Sequence, residues 1–107
     1  MITSKYSPTP MLAVDVDGTL IINGVGNTAL IDYLREKKTS GTKMMLWSAR
    51  GKDYAIATAK HLGVAELFGD IVSKPGYIID DQGWEWIKYT EIVSPFSDRP
   101  KLVYRRG

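Results

Sequence analysis

A chain of 107 residues, 44% apolar and 24% charged, is sized and composed for one globular domain whose core buries roughly 65% of the unfolded surface. Its net charge of +2 is too small to imply a nucleic-acid partner by itself. The absence of cysteine excludes disulfides and thiolate zinc sites and suits a reducing cytoplasm.

The polar start ends in Ser7-Pro8-Thr9-Pro10, which reads as an extended lead-in. Met11–Val16 is then a short, nearly all-apolar strand of the kind found inside a parallel sheet, and it is too short for a signal-peptide core or a membrane span. Gly18 to Asn27 reads as a loop in which Gly24 and Gly26 permit the turn or form a flap. Asn27 or Thr28 can cap a helix with Leu30, Ile31 and Leu34 on its apolar face, and Thr39-Ser40-Gly41 ends it. Met44–Trp47 is a second buried strand, running into Ser48-Ala49-Arg50-Gly51.

Asp53 is the expected cap of a second helix, with Ile56, Ala59 and Leu62 as its core stripe and Gly63 as its stop. Leu67–Val72 holds a predicted third strand and Tyr77–Ile79 a fourth. Further on, Trp84, Trp86, Ile87 and Ile92 suit a helix, and Leu102–Tyr104 an edge strand. Alternating strands and helices predict an α/β fold. The expectation is a single Rossmann-like three-layer domain over residues 1–107, its parallel sheet covered on both faces.

The chemistry concentrates at predicted strand ends, where open parallel sheets bind ligands. Asp15 and Asp17 lie two residues apart, so on a strand they project from one face, and a cation or shared proton must sit between them. The second strand delivers Ser48, the third Lys74 and the fourth Asp80-Asp81. Carboxylates for a hard cation, one ammonium and one hydroxyl make a coherent site for Mg²⁺ and a phosphate.

In that order, Asp15-Val16-Asp17-Gly18-Thr19-Leu20, Ser48, Lys74 and Asp80-Asp81 resemble the four motifs of the haloacid dehalogenase-like phosphohydrolase superfamily, over roughly residues 11–83. The resemblance implies that Asp15 is the nucleophile and becomes a transient aspartyl-phosphate. It implies that Asp17 protonates the leaving oxygen and then activates water, its backbone carbonyl also ligating Mg²⁺. Ser48, with Gly18, Thr19, Ala49 and Arg50, would contact the phosphoryl oxygens, and Lys74 would neutralise Asp15 and phosphate together. One of Asp80 and Asp81 would complete the magnesium set begun by Asp15 and Asp17 directly, the other ligating it through water or orienting Lys74.

About 30 residues separate Asp17 from Ser48 and about 25 separate Ser48 from Lys74, which leaves no room for the cap domain most relatives carry. The expected partner is a small phosphorylated substrate or a nucleic-acid end. An open site suits a bulky substrate such as a nucleic-acid end or a phosphoprotein; alternatively a homo-oligomer supplies the lid, with the tryptophan-rich C-terminal part as the contact. No membrane partner is expected.

Bland readings stand beside these. Asp-x-Asp-Gly and Asp80-Asp81 also suit turns, Lys74 a surface, and Ser48 a loop. His61 reads as a surface histidine, Trp84, Trp86 and Tyr89 as core or interface, and Arg99, Lys101, Arg105 and Arg106 as a solvated basic end. A phosphoacceptor or phosphate-binding regulatory domain without turnover is the alternative to a phosphatase.

Overall fold

The computed structural model describes residues 11–87, 89–93 and 101–104. The Ser7–Pro10 lead-in and Arg99, Arg105 and Arg106 of the basic end lie outside them.

Three parallel strands form the central sheet: β1 (Met11–Asp15), β4 (Lys43–Ser48) and β5 (Asp70–Ser73), in the order β1-β4-β5. Between β1 and β4 come a two-stranded hairpin, β2 (Ile21–Ile22) and β3 (Val25–Gly26), and helix α1 (Thr28–Thr39). Between β4 and β5 comes helix α2 (Lys52–His61), followed by a 3₁₀ turn at Ala65–Leu67. A second antiparallel pair, β6 (Tyr89–Ile92) and β7 (Lys101–Tyr104), follows.

The register explains where the core sits. Val14 pairs with Leu46 and Leu46 with Ile71, so these side chains share one face of the sheet. That face, carrying Val14, Val16, Met44 and Leu46, packs in one cluster with Leu30 and Leu34 of α1 and Ala55 and Ala59 of α2. Leu20, directly after the acidic loop, is fully buried there as well. Each large aliphatic side chain so buried stabilises the fold by roughly 1.5–3 kcal/mol. On the opposite face Ala13, Met45, Trp47, Asp70 and Val72 are exposed or half-buried, and no described residue of that face is fully buried. The described residues thus form a small α/β unit with a parallel sheet packed on one face.

Local chemistry accounts for most boundaries. Asn27 caps α1, its Oδ1 accepting from the Leu30 amide at 3.2 Å, and Ser40 closes the other end. Asp53 is not the cap of α2. Gly51 holds that position with no side-chain bond of its own, Asp53 lies in the first turn, and Ser73 Oγ of β5 accepts the Lys52 amide at 3.0 Å. The buried stripe of α2 is Ala55, Thr58 and Ala59, with Ile56 half-buried and Leu62 packed at the edge of the cluster.

Elsewhere the predicted elements change. The Gly18–Asn27 loop contains the β2–β3 hairpin, turned by Asn23 and Gly24 at φ 52° and 76°. That Asn-Gly pair is the usual signature of a two-residue hairpin turn with both φ values positive. The third strand begins at Asp70 rather than Leu67, because residues 65–67 wind into the 3₁₀ turn. The fourth strand does not form: Tyr77 and Ile79 are 83% and 93% exposed, so their apolar side chains find no sheet face to cover. No helix follows among the described residues either. Residues 81–86 form turns, with Trp84 and Trp86 rings 5.6 Å apart, and Ile92 belongs to β6. No described helix is long and apolar enough to cross a membrane.

Candidate active site

The C-terminal edge of the sheet is where the acidic motif meets the ends of β4 and β5. Strand β1 ends at Asp15, and burial alternates beyond it: Val14 and Val16 point into the core while Asp15 and Asp17 keep 31% and 48% of their side chains accessible. The chain then turns sharply. Gly18 takes φ 75°, a conformation that costs an L side chain energy, and its amide donates to the Ile21 carbonyl at 2.8 Å. The Thr19 and Ile21 amides both donate to the Val16 carbonyl, and Asn27 Nδ2 donates to the Thr19 carbonyl at 3.0 Å. These bonds, together with buried Leu20, hold the acidic loop rigidly against the sheet.

Each carboxylate has a cation beside it. Lys74 Nζ lies 3.7 Å from Asp15 Oδ1, and an Arg50 guanidinium nitrogen lies 3.7 Å from Asp17 Oδ1. Each cation in turn leans on an aromatic ring, Lys74 at 6.0 Å from Trp47 and Arg50 at 3.9 Å from Tyr54. The tyrosine also donates its hydroxyl to Asp17 Oδ1 at 2.7 Å. That bond, with some desolvation behind it, raises the Tyr54 phenol above its ordinary range, while the nearby Arg50 charge pulls the other way.

Ser48 ties the second and third strand ends together. It is 1% exposed, and its Oγ accepts the Arg50 amide at 3.0 Å. Its carbonyl accepts two amides, Gly51 at 3.0 Å and Lys74 at 2.8 Å. Ser48 therefore shapes the loop that presents Arg50 and fixes the backbone from which Lys74 reaches Asp15. A hydroxyl that accepts one bond can still donate another, so this duty is compatible with a phosphate contact. Ala49 is exposed on the same loop, and Gly18 and Thr19 lie on the acidic one.

Asp80 and Asp81 are not brought into this cluster. Asp80 Oδ1 accepts the Gln82 amide at 2.8 Å, which makes a side-chain-closed turn. Among the described residues, no group of three or more His, Asp or Glu side chains is arranged to hold a metal. The expected magnesium set of Asp15, Asp17, Asp80 and Asp81 is therefore not gathered among the described residues. The Asp15 carboxylate with the Asp17 backbone carbonyl is a donor pair of the hard-oxygen kind that Mg²⁺ takes beside waters and a substrate phosphate.

Two participants escaped the sequence reading. Tyr54 lies in the first turn of α2 and Arg50 in the turn before it, so no helical spacing links them and their stacking follows only from the folded loop. Ser73 joins the start of α2 only through the β4–β5 pairing, which no local pattern announces. His61 is exposed at the far end of α2. Comparison of the chain with protein-family models, curated proteins and solved structures finds no match.

Proposed function

We propose that this protein is a Mg²⁺-dependent phosphomonoesterase of the haloacid dehalogenase-like type, acting through an aspartyl-phosphate on Asp15. The observation that carries the reading is the paired arrangement at one sheet edge: two carboxylates from one loop, each with its own cation delivered by a different strand end. The β-α-β-α-β order supports a Rossmann-like reading, with both described helices on one sheet face; a second covering layer of the expected three-layer domain is not found among the described residues. The cysteine-free composition suits cytoplasmic residence.

In the first step an Asp15 carboxylate oxygen attacks phosphorus and the ester P–O bond breaks. Asp17, in its protonated form, gives its proton to the departing alkoxide, so an alcohol leaves. In the second step Asp17 takes a proton from water as that water attacks phosphorus. The P–O bond to Asp15 breaks, and inorganic phosphate and the free Asp15 carboxylate result. General acid–base help of this kind contributes typically 10²–10⁴-fold.

Lys74 screens Asp15 from the approaching anion, and the Arg50 guanidinium receives the phosphoryl oxygens. Asp15 and Asp17 would hold the Mg²⁺, which when bound supplies further charge neutralisation at the phosphoryl group. The half-exposed carboxylates leave room for a nucleotide, a sugar phosphate or a polynucleotide end.

A phosphate-release screen over these three substrate classes, with Mg²⁺ or with chelator and alongside Asp15→Asn, tests the reading. The expected result is release that needs both Mg²⁺ and Asp15. Release that survives chelation or the Asn variant overturns it, and stable phosphorylation of Asp15 without release favours the non-hydrolytic phosphoacceptor instead.

A further inference from the structure

We propose that Tyr54 is a positioning residue with two separable duties: its hydroxyl orients the Asp17 carboxylate, and its ring holds the Arg50 guanidinium at the mouth of the site. The inference rests on the roles given above to Asp17 and Arg50, and it adds a residue that the motifs do not contain.

The geometry divides the two duties cleanly. The 2.7 Å separation between the phenol oxygen and Asp17 Oδ1 is that of a short hydrogen bond to a charged acceptor. The guanidinium, at 3.7 Å from the same carboxylate oxygen, is beyond direct hydrogen-bond distance, whereas its carbon sits 3.9 Å from the ring centroid. Arg50 is therefore held by a π face more than by a carboxylate. A face of that kind uses none of the N–H donors, and the Arg50 side chain is 63% exposed. Its planar fork stays available for an oxyanion.

Tyr54 is well placed for this because it starts from a fixed point. It lies in the first turn of α2, whose opening amide is tied to Ser73 of β5, while Arg50 leaves from a loop whose amides bond to Ser48 of β4. Asp17 comes from the end of β1. Its side chain thus joins groups from the ends of β1 and β4, while the backbone of its helix turn is tied to β5.

The two duties predict different kinetics for two variants. Tyr54→Phe keeps the ring and loses the hydroxyl, so kcat should fall about tenfold, the size of one lost hydrogen bond to a charged group, with KM unchanged. Tyr54→Leu loses both, so KM and the dissociation constant for inorganic phosphate should also rise about threefold to tenfold. A third readout needs no turnover: inorganic phosphate should bind the Phe variant as tightly as the native chain and the Leu variant more weakly.

Equal kinetic losses in the Phe and Leu variants, or equal inorganic-phosphate affinities in the two, would overturn the proposal. Should the Leu variant fail to fold, the near-isosteric Phe variant still decides it: a kcat that does not fall, or a KM that rises with it, overturns the proposal. Should Asp15→Asn retain activity, the phosphatase reading fails, and inorganic-phosphate binding by the Phe and Leu variants judges the hold on Arg50 on its own.

Discussion

The chain carries two acidic pairs, Asp15 with Asp17 and Asp80 with Asp81, and the structure treats them differently. The first pair stands on a strand end braced from below by Val14, Val16 and Leu20, all nearly inaccessible. Around it, parallel pairing brings in groups from two other strand ends. The second pair belongs to a run of turns held by short-range bonds: Gly83 to Asp80, Glu85 to Gln82 and Ile87 to Trp84. No ladder supports that run, and Trp86 Nε1 is buried there without a partner. Acidic residues become a site when long-range pairing fixes their neighbours. Without it, the same residue type serves the backbone of its own turn.

The comparison can be broken most severely at its centre. Asp15→Asn should reduce phosphate release to background, since among the described residues only Asp15 pairs with Lys74. Next in size, Lys74→Ala should cost on the order of 10²–10³ in kcat, the usual loss when one charge-stabilising donor is removed. Neither change should unfold the protein, because both side chains remain partly in water, and circular dichroism checks that.

A core test comes third. Leu20→Ala should destabilise the fold by about 2–5 kcal/mol in denaturant unfolding and loosen the acidic loop with it, because Leu20 is fully buried one turn beyond Asp17. Asn27→Ala removes both the cap of α1 and the bond to the Thr19 carbonyl, and a loss of about 1 kcal/mol is expected in the same assay.

The smallest effect sharpens the contrast. Asp80→Asn and Asp81→Asn should leave turnover at saturating Mg²⁺ unchanged if the second pair stays in its turn. A large loss in either variant, corrected by raising Mg²⁺, would show instead that residues 77–83 close over the first pair when the ion and substrate arrive. For Tyr54 the sign is definite: its phenol is raised, so its contribution to the folded state is complete below the ordinary tyrosine range and disappears as pH climbs through the raised value.

Much of this was legible from local patterns. The run Met11–Val16 announced a buried strand, Asn27 a helix start, and Gly63, at φ 68°, a helix stop. The Asp-x-Asp-Gly motif placed two carboxylates and a turn where they are found. The hairpin at Asn23-Gly24 was equally readable and was passed over as a plain loop. Tyr77-Ile78-Ile79 misled in the other direction, because an apolar triplet states a propensity but not a partner. Strand formation there required a sheet edge that these residues do not reach.

The amino-acid order alone determined the periodic elements, the acidic turn and the residue types on offer, since each depends on neighbours a few positions apart. Only the folded chain decided which of those residues meet: that Lys74 reaches Asp15, that Ser73 rather than Asp53 closes the start of α2, and that Tyr54 links Asp17 to Arg50. The physical reason is register. Pairing of β1 with β4 and of β4 with β5 fixes contacts across 20 to 60 positions of sequence, and no short window contains that information.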